Sequence, residues 1–203
     1  MKKIMGLTIA ALLIIGIVGG GTYAYFSDTE SSTGNTLSAA TLDLKINGGD
    51  AAITTFDVSN VAPGDSGSAN STLRNAGSLT GEFDVATSAI TNTPYAGGGE
   101  FQDGSGDLGA NAEIAMYIDI DMSGDPTAGD VGLKSDGTTY DPSVALDYDV
   151  IDNYDTENWD AVANMATTVS YGYRVEWRVD TSVGNAIQGD SVSFDINFVL
   201  EQP

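Results

Sequence analysis

The chain predicts an all-β fold, an antiparallel two-sheet β-sandwich with one or two short helices, and three observations carry that expectation. Apolar and polar residues alternate with period two in one segment after another, so each segment offers a single face to a core. Turns built on Gly-Asp separate those segments. The composition agrees: 22 Asp against 7 Glu, with 25 Gly, favours turns and strands, because Asp competes with helical backbone bonding and Gly costs entropy in a helix.

Before the first strand stands "MKKIMGLTIAALLIIGIVGGGTYA". Lys2 and Lys3, an apolar run from Ile4 to Val18 and a small-residue end at Thr22 and Ala24 make the three-part pattern of a signal peptide. Residues 1–24 are therefore expected to be removed, with the cut between Ala24 and Tyr25. The protein is then secreted, extracellular or held at the cell surface, with no stable membrane span left. Two alternatives keep the apolar run: a membrane anchor, or a pilin-like leader cut after Gly6 with Leu7 onward retained. The usual glutamate near a pilin's mature start is missing.

The strands follow in order. Leu42, Leu44 and Ile46 face one way, with Asp43 and Lys45 the other. Weaker strands are expected at 53–58, 68–73 and 81–86. Ile114, Met116, Ile118 and Ile120 form one face of a strand whose other face carries Glu113, Ala115, Tyr117, Asp119 and Asp121. Tyr171, Tyr173, Val175, Trp177 and Val179 repeat the pattern opposite Arg174, Glu176 and Arg178. Phe194, Ile196, Phe198 and Leu200 close the chain. The turns "APGD" at 62–65 and "IQGD" at 187–190 each launch a strand. "DTENWDAVANMA" reads as a helix, with Asp155 or Thr156 as its cap and Trp159, Val162, Ala163 and Ala166 on one face. Residues 94–109 form a long Gly/Asp loop. The domain expectation is 1–24 signal peptide, 25–38 N-terminal segment and 39–203 sandwich.

Charge and composition then exclude functions. The chain has 29 acids, 7 bases and no histidine, a formal charge of −22; without residues 1–24 it keeps 29 acids and 5 bases, −24. Nucleic acid is excluded as a partner, because phosphate binding needs a basic patch. With neither His nor Cys, the Ser-His-Asp triad, the Cys-His pair and the two-histidine zinc site are all out of reach. Paired carboxylates of the glycosidase kind carry no specificity in a chain this acidic. The protein is expected not to be an enzyme and to require no cofactor.

Calcium is the one cofactor candidate. In "DIDMSGDPTAGD", Asp119, Asp121, Ser123 and Asp125 alternate, Gly124 can take a sharp turn, and Asp130 stands where a twelve-residue calcium loop places its last ligand. The loop lacks flanking helices, and Asp replaces the usual long Glu. An acidic, solvated hairpin is the plainer reading. A second group, Asp147, Asp149, Asp152, Asp155, Glu157 and Asp160, lacks ligand spacing and reads as helix-start charge and solvated surface. Asn70-Ser71-Thr72 is an N-glycosylation sequon. Lys45, pointing away from Leu44, reads as a surface lysine rather than a cross-linking one.

Three stretches carry a family resemblance. "GGGTYAYFSDTESSTGNTLSAATLDL", "NVAPGDSGSANSTLRNAGSLTGEFDV" and "IQGDSVSFDINFVLEQ" resemble the TasA/camelysin family of exported, fibre-forming proteins, covering about a third of the chain; residues 86–170 carry no family signal. The resemblance implies a jelly-roll sandwich, removal of the leader by a SipW-type signal peptidase, and head-to-tail homopolymers in surface or biofilm-matrix fibres. It also implies donor-strand complementation, with Tyr25, Phe26, Ser27, Asp28, Thr29 and Glu30 leading the donor segment 25–38 into a neighbouring copy. The camelysin branch is described as metalloprotease, an activity not carried over to a chain without histidine. Against this structural-protein expectation stand a monomeric acidic cell-surface module binding calcium or glycans, and the membrane-anchored pilin-like subunit.

Overall fold

The computed structural model describes residues 40–50, 53–96, 107–184 and 187–202. The chain divides into two units, Met1–Ser38 and Ala39–Pro203, and the described residues all belong to the second. The signal segment, the proposed donor segment and most of the 94–109 loop lie outside the described residues.

Twelve strands make two antiparallel sheets among the described residues. Their ranges are β1 Leu44–Ile46, β2 Ile53–Ser59, β3 Ser66–Asn75, β4 Gly81–Thr87, β5 Thr91–Thr93, β6 Ala112–Asp119, β7 Val131–Leu133, β8 Thr139–Tyr140, β9 Asp149–Val150, β10 Asn158–Met165, β11 Ser170–Val179 and β12 Ser191–Glu201. One sheet has the order β1-β3-β11-β6-β7-β8, with β9 also on β6; the other runs β10-β4-β12-β2, with β5 also on β12. A four-residue helix, α1 (Leu108–Asn111), and a 3-10 turn at Ile151–Tyr154 are the helical pieces.

Alternation places the core where the sequence puts it. Tyr171, Tyr173, Val175 and Val179 of β11 are buried, as are Phe194, Ile196 and Phe198 of β12. Tyr173 of one sheet lies edge-on to Phe198 of the other at 5.1 Å, and Phe198 stacks on Phe83 of the neighbouring strand in its own sheet at 5.8 Å. Such contacts add about 0.5–1.5 kcal/mol each beyond the area they bury. The two Gly-Asp turns form as expected, with Gly64 at φ +92° and Gly189 at φ +85°, where a side chain would be strained.

Two expectations change. Residues 155–166 form no helix: a 3-10 turn precedes them and β10 runs through them as the edge strand beside β4. Register jumps between Trp159↔Val85 and Ala163↔Phe83, so four residues of β10 span two of β4. Ala161 sits in the bulge at φ +51°, and its N–H donates to Asp84 Oδ1 at 2.8 Å. The bulge puts Trp159, Val162 and Met165 inward at a spacing of three, which imitates a helical stripe. The second change concerns β6: its outer face is buried too, with Ala115, Tyr117 and Asp119 all at 1% exposure or less. The loop after β6 folds back over it, and Tyr117 Oη donates to the Gly124 carbonyl at 3.4 Å.

Candidate functional site

Two places stand out on the sandwich, an acidic loop and an open edge. The loop leaves β6 at Asp119, whose carboxylate has no exposure. Asp119 Oδ1 accepts from Ser123 N at 3.0 Å, and Oδ2 accepts from Gly124 N at 3.0 Å and Arg174 Nε at 2.9 Å. Asp130 Oδ1 accepts from Ile120 N at 2.8 Å and Oδ2 from Thr127 N at 2.7 Å. Asp121 Oδ1 accepts from Ser123 N at 2.9 Å and Oδ2 from the Thr127 hydroxyl at 3.0 Å. The Ser123 hydroxyl then donates to the Asp125 carbonyl at 2.8 Å.

Of the five expected calcium ligands, Asp119, Asp121 and Asp130 converge, each offering an oxygen within 4.8 Å of the others. Ser123 and Asp125 join the loop's internal bonding instead. The hydrogen bonds from Ser123 and Thr127 hold the Asp121 carboxyl below the usual aspartate range. These carboxylates fasten the loop to itself and, through Arg174, to β11. Alternation in the sequence places Asp119 and Arg174 on outer faces; register makes them near neighbours, since Gly172 pairs with Asp119 and Arg174 with Tyr117.

The second acidic group starts no helix over 155–166, although Asp152 lies in the first turn of the 3-10 piece Ile151–Tyr154. Asp149 takes bonds from the Ser135 hydroxyl and Asn153 Nδ2, Asp152 from Asn92 Nδ2, and Asp155 from Ile90 N. Lys45 pairs with Asp50 and, at 3.2 Å, with Asp43. The bond to Asp50 first, then that to Asp43, raises its ammonium pKa; a cross-linking amine must be neutral, so a surface ion pair is what its geometry supports.

The open edge is not legible in the sequence. β1 flanks β3 only from Asn75 to Leu73, and then Asn47 (φ +50°) and Gly48 (φ +82°) turn the chain away. Asn47 N donates to Thr72 O at 2.8 Å, and Thr72 N to Asn47 Oδ1 at 2.9 Å. By strand alternation the N–H and C=O of Asn70, Ser68 and Ser66 point to that same side, where no described strand pairs with them. Across the sandwich β2 ends its own sheet, bonded only to β12 among the described strands. Between the two edges lies a slot of about 180 Å³. Phe56, Ala69, Tyr173, Val175 and Ile196 give it an apolar lining, and Asn47 and Ser71 a polar one. Asn70 of the sequon lies on this edge, exposed. Tyr25 to Glu30 and the Ala24–Tyr25 junction fall outside the described residues.

Comparison with known families matches the chain over residues 1–202 to a family described as camelysin metallo-endopeptidase. No curated protein matches the chain. The family description implies a catalytic metal, and the described residues do not fit one. A catalytic zinc takes His, Cys or carboxylate ligands and keeps a position open for water. Here no His or Cys exists, and the converging carboxylates among the described residues already accept backbone N–H groups and a guanidinium.

Proposed function

The chain belongs to the camelysin metallo-endopeptidase family, the TasA/camelysin family, and from that membership we propose that it is a secreted, non-catalytic structural subunit. It polymerises head-to-tail into extracellular surface or biofilm-matrix fibres, residues 25–38 of one copy adding a strand to the next. The observation that carries this reading is the slot between β2 and β3. Two edges that no described strand covers face one another over a lining that includes core side chains, and an unpaired edge is a template for another chain. Its volume, about 180 Å³, falls below the roughly 300–1,000 Å³ of small-molecule pockets. It suits one or two side chains carried by an added strand. Tyr25 and Phe26 are bulky enough to enter it. A contact between one end of a chain and the side of another does not close on itself, so it builds a filament.

The test is electron microscopy of three proteins: the chain beginning at Tyr25, the chain beginning at Ala39, and Ala69→Arg in the former. Filaments are expected from the first alone, with the other two melting alike and the filament melting higher. Filaments from the chain beginning at Ala39 overturn the donor role, and filaments from Ala69→Arg overturn the slot. Recovery of a cell-surface protein beginning at Leu7 replaces the reading with a pilin-like one.

A further inference from the structure

We infer that the turn Asn75–Leu79 is a mechanical clamp that holds the root of the N-terminal segment in shear. The load on it rests on the fibre reading above, whereas the clamp's geometry stands without that reading. Residues 41–43 lead into β1, and the turn grips them along their length. Thr41 N donates to Ser78 Oγ at 2.9 Å. Ser78 N and Leu79 N both donate to Thr41 O, at 2.8 and 3.2 Å, and Ala76 N donates to Asp43 O at 2.7 Å. Gly77 lies so close that a Cβ there would strike the Thr41 carbonyl oxygen and stand 2.8 Å from Asp43 N.

The turn is itself tied to the interior. Asn75 is fully buried, and its Nδ2 donates to Leu79 O at 2.8 Å and Met165 O at 3.0 Å. Its Oδ1 accepts from Gly77 N at 3.0 Å. Through its backbone, Asn75 N donates to Val169 O at 3.1 Å and Thr168 N to Asn75 O at 2.8 Å. The side chain thus satisfies three groups of two different segments, and the turn cannot move without breaking buried bonds.

The clamp and the slot sit at opposite ends of one strand. β1 and its lead-in occupy the Asn75 end of β3, whereas the open edge occupies the Ser66–Ser71 end of the same side. Tension between residue 40 and a strand seated in the slot therefore runs along β3. Ladder bonds lie across the strands, so those between 41–47 and 72–79 are loaded together rather than peeled one at a time.

The chain has no cysteine, which allows single-molecule handles at chosen sites. Ala40→Cys with Ser68→Cys applies shear along β3; Ala40→Cys with Thr80→Cys peels the same bonds from one end. Ala40, Ser68 and Thr80 are all exposed. The rupture force should be higher in shear by roughly twofold or more, because the bonds break together, and Gly77→Ala should lower it toward the peeling value. Ser78→Ala, which removes only the Thr41 N–Ser78 Oγ bond, gives a milder loss should Gly77→Ala fail to fold. Equal forces in the two geometries, or a shear force indifferent to both substitutions, overturn the clamp. Absence of filaments in microscopy would overturn the fibre reading and leave this force difference in place.

Discussion

Arg174 Nε and Asp119 Oδ2 meet at 2.9 Å, with the carboxylate wholly buried and the guanidinium side chain 23% exposed. The pair joins the loop after β6 to β11, and the carboxylate's other partners are loop N–H groups. Removing the cation leaves a buried charge with two neutral donors. Arg174→Met should therefore destabilise the fold by about 3 kcal/mol, the lower end of what breaking a buried pair costs. Urea unfolding measures it, and Asp119→Asn in the same background should recover part of the loss.

Calcium is testable at the same loop. Asp119, Asp121 and Asp130 bring three negative charges together, and Arg174 offsets one. That net charge suits the weak, roughly millimolar class of extracellular calcium sites. At about 10 mM calcium and a Kd of about 1 mM, mass action stabilises the fold by about 1.4 kcal/mol. A site of that class would raise the melting midpoint by a few degrees, and Asp121→Ala would abolish the rise. An unchanged midpoint in the wild type removes calcium from this protein.

Alkaline unfolding should follow the buried phenols. Burial pushes Tyr117 up to about 12, and burial likewise raises Tyr173 well above its ordinary value. An unfolded tyrosine titrates near 10. The neutral phenol is thus favoured in the fold; its stabilisation is complete below about pH 10 and is lost as pH climbs toward 12. Tyrosinate absorbance and circular dichroism should change together in that window. Titration of these phenols with the circular dichroism unchanged would contradict it.

The acid limb has the opposite sign. Hydrogen bonds from Thr138 hold Asp136 low, and those from Ser143 and Ser182 do the same for Asp141 and Asp180. A depressed carboxyl stabilises the fold above the unfolded value near 4 and ceases to do so as pH falls through the folded one. Stability measured by urea should hold down to about pH 5 and decline below about pH 4. Thr138→Val, which removes the hydroxyl bond to Asp136, should flatten that decline slightly by lowering stability at neutral pH while leaving it nearly unchanged in acid.

Sequence alone reveals strands whose two faces differ, since inward Tyr173, Phe194 and Phe198 alternate with Arg174 and Asp195. It fails where tertiary partners decide. β6 reads as half-solvated because nothing local announces that its own following loop will cover Tyr117 and Asp119. The acidic spacing is visible, yet its meaning depends on Arg174, which only strand register brings near. The slot is invisible because it is defined by where β1 stops, a turn at Asn47-Gly48. Asn75 to Leu79 lie within one of the three stretches that carry the family resemblance, and burial of Asn75 supplies a physical reason for that turn.

β10 shows how a pattern can mislead, and Ala161 tests the explanation. Its φ of +51° costs an L-residue roughly 1–2 kcal/mol, and the strain is held by the N–H bond to Asp84 and by the inward Trp159, Val162 and Met165. Glycine carries no such penalty at positive φ, so Ala161→Gly should stabilise the protein or leave it unchanged. A helix over 155–166 would give the reverse sign, because glycine within a helix costs about 1 kcal/mol relative to alanine. Ala161→Val separates the two further: a β-branched residue at positive φ should destabilise by more than roughly 1 kcal/mol, whereas in a helix the loss would stay at a few tenths. Thermal melting of the two variants beside wild type decides between bulge and helix, and a destabilised Ala161→Gly would sink the bulge.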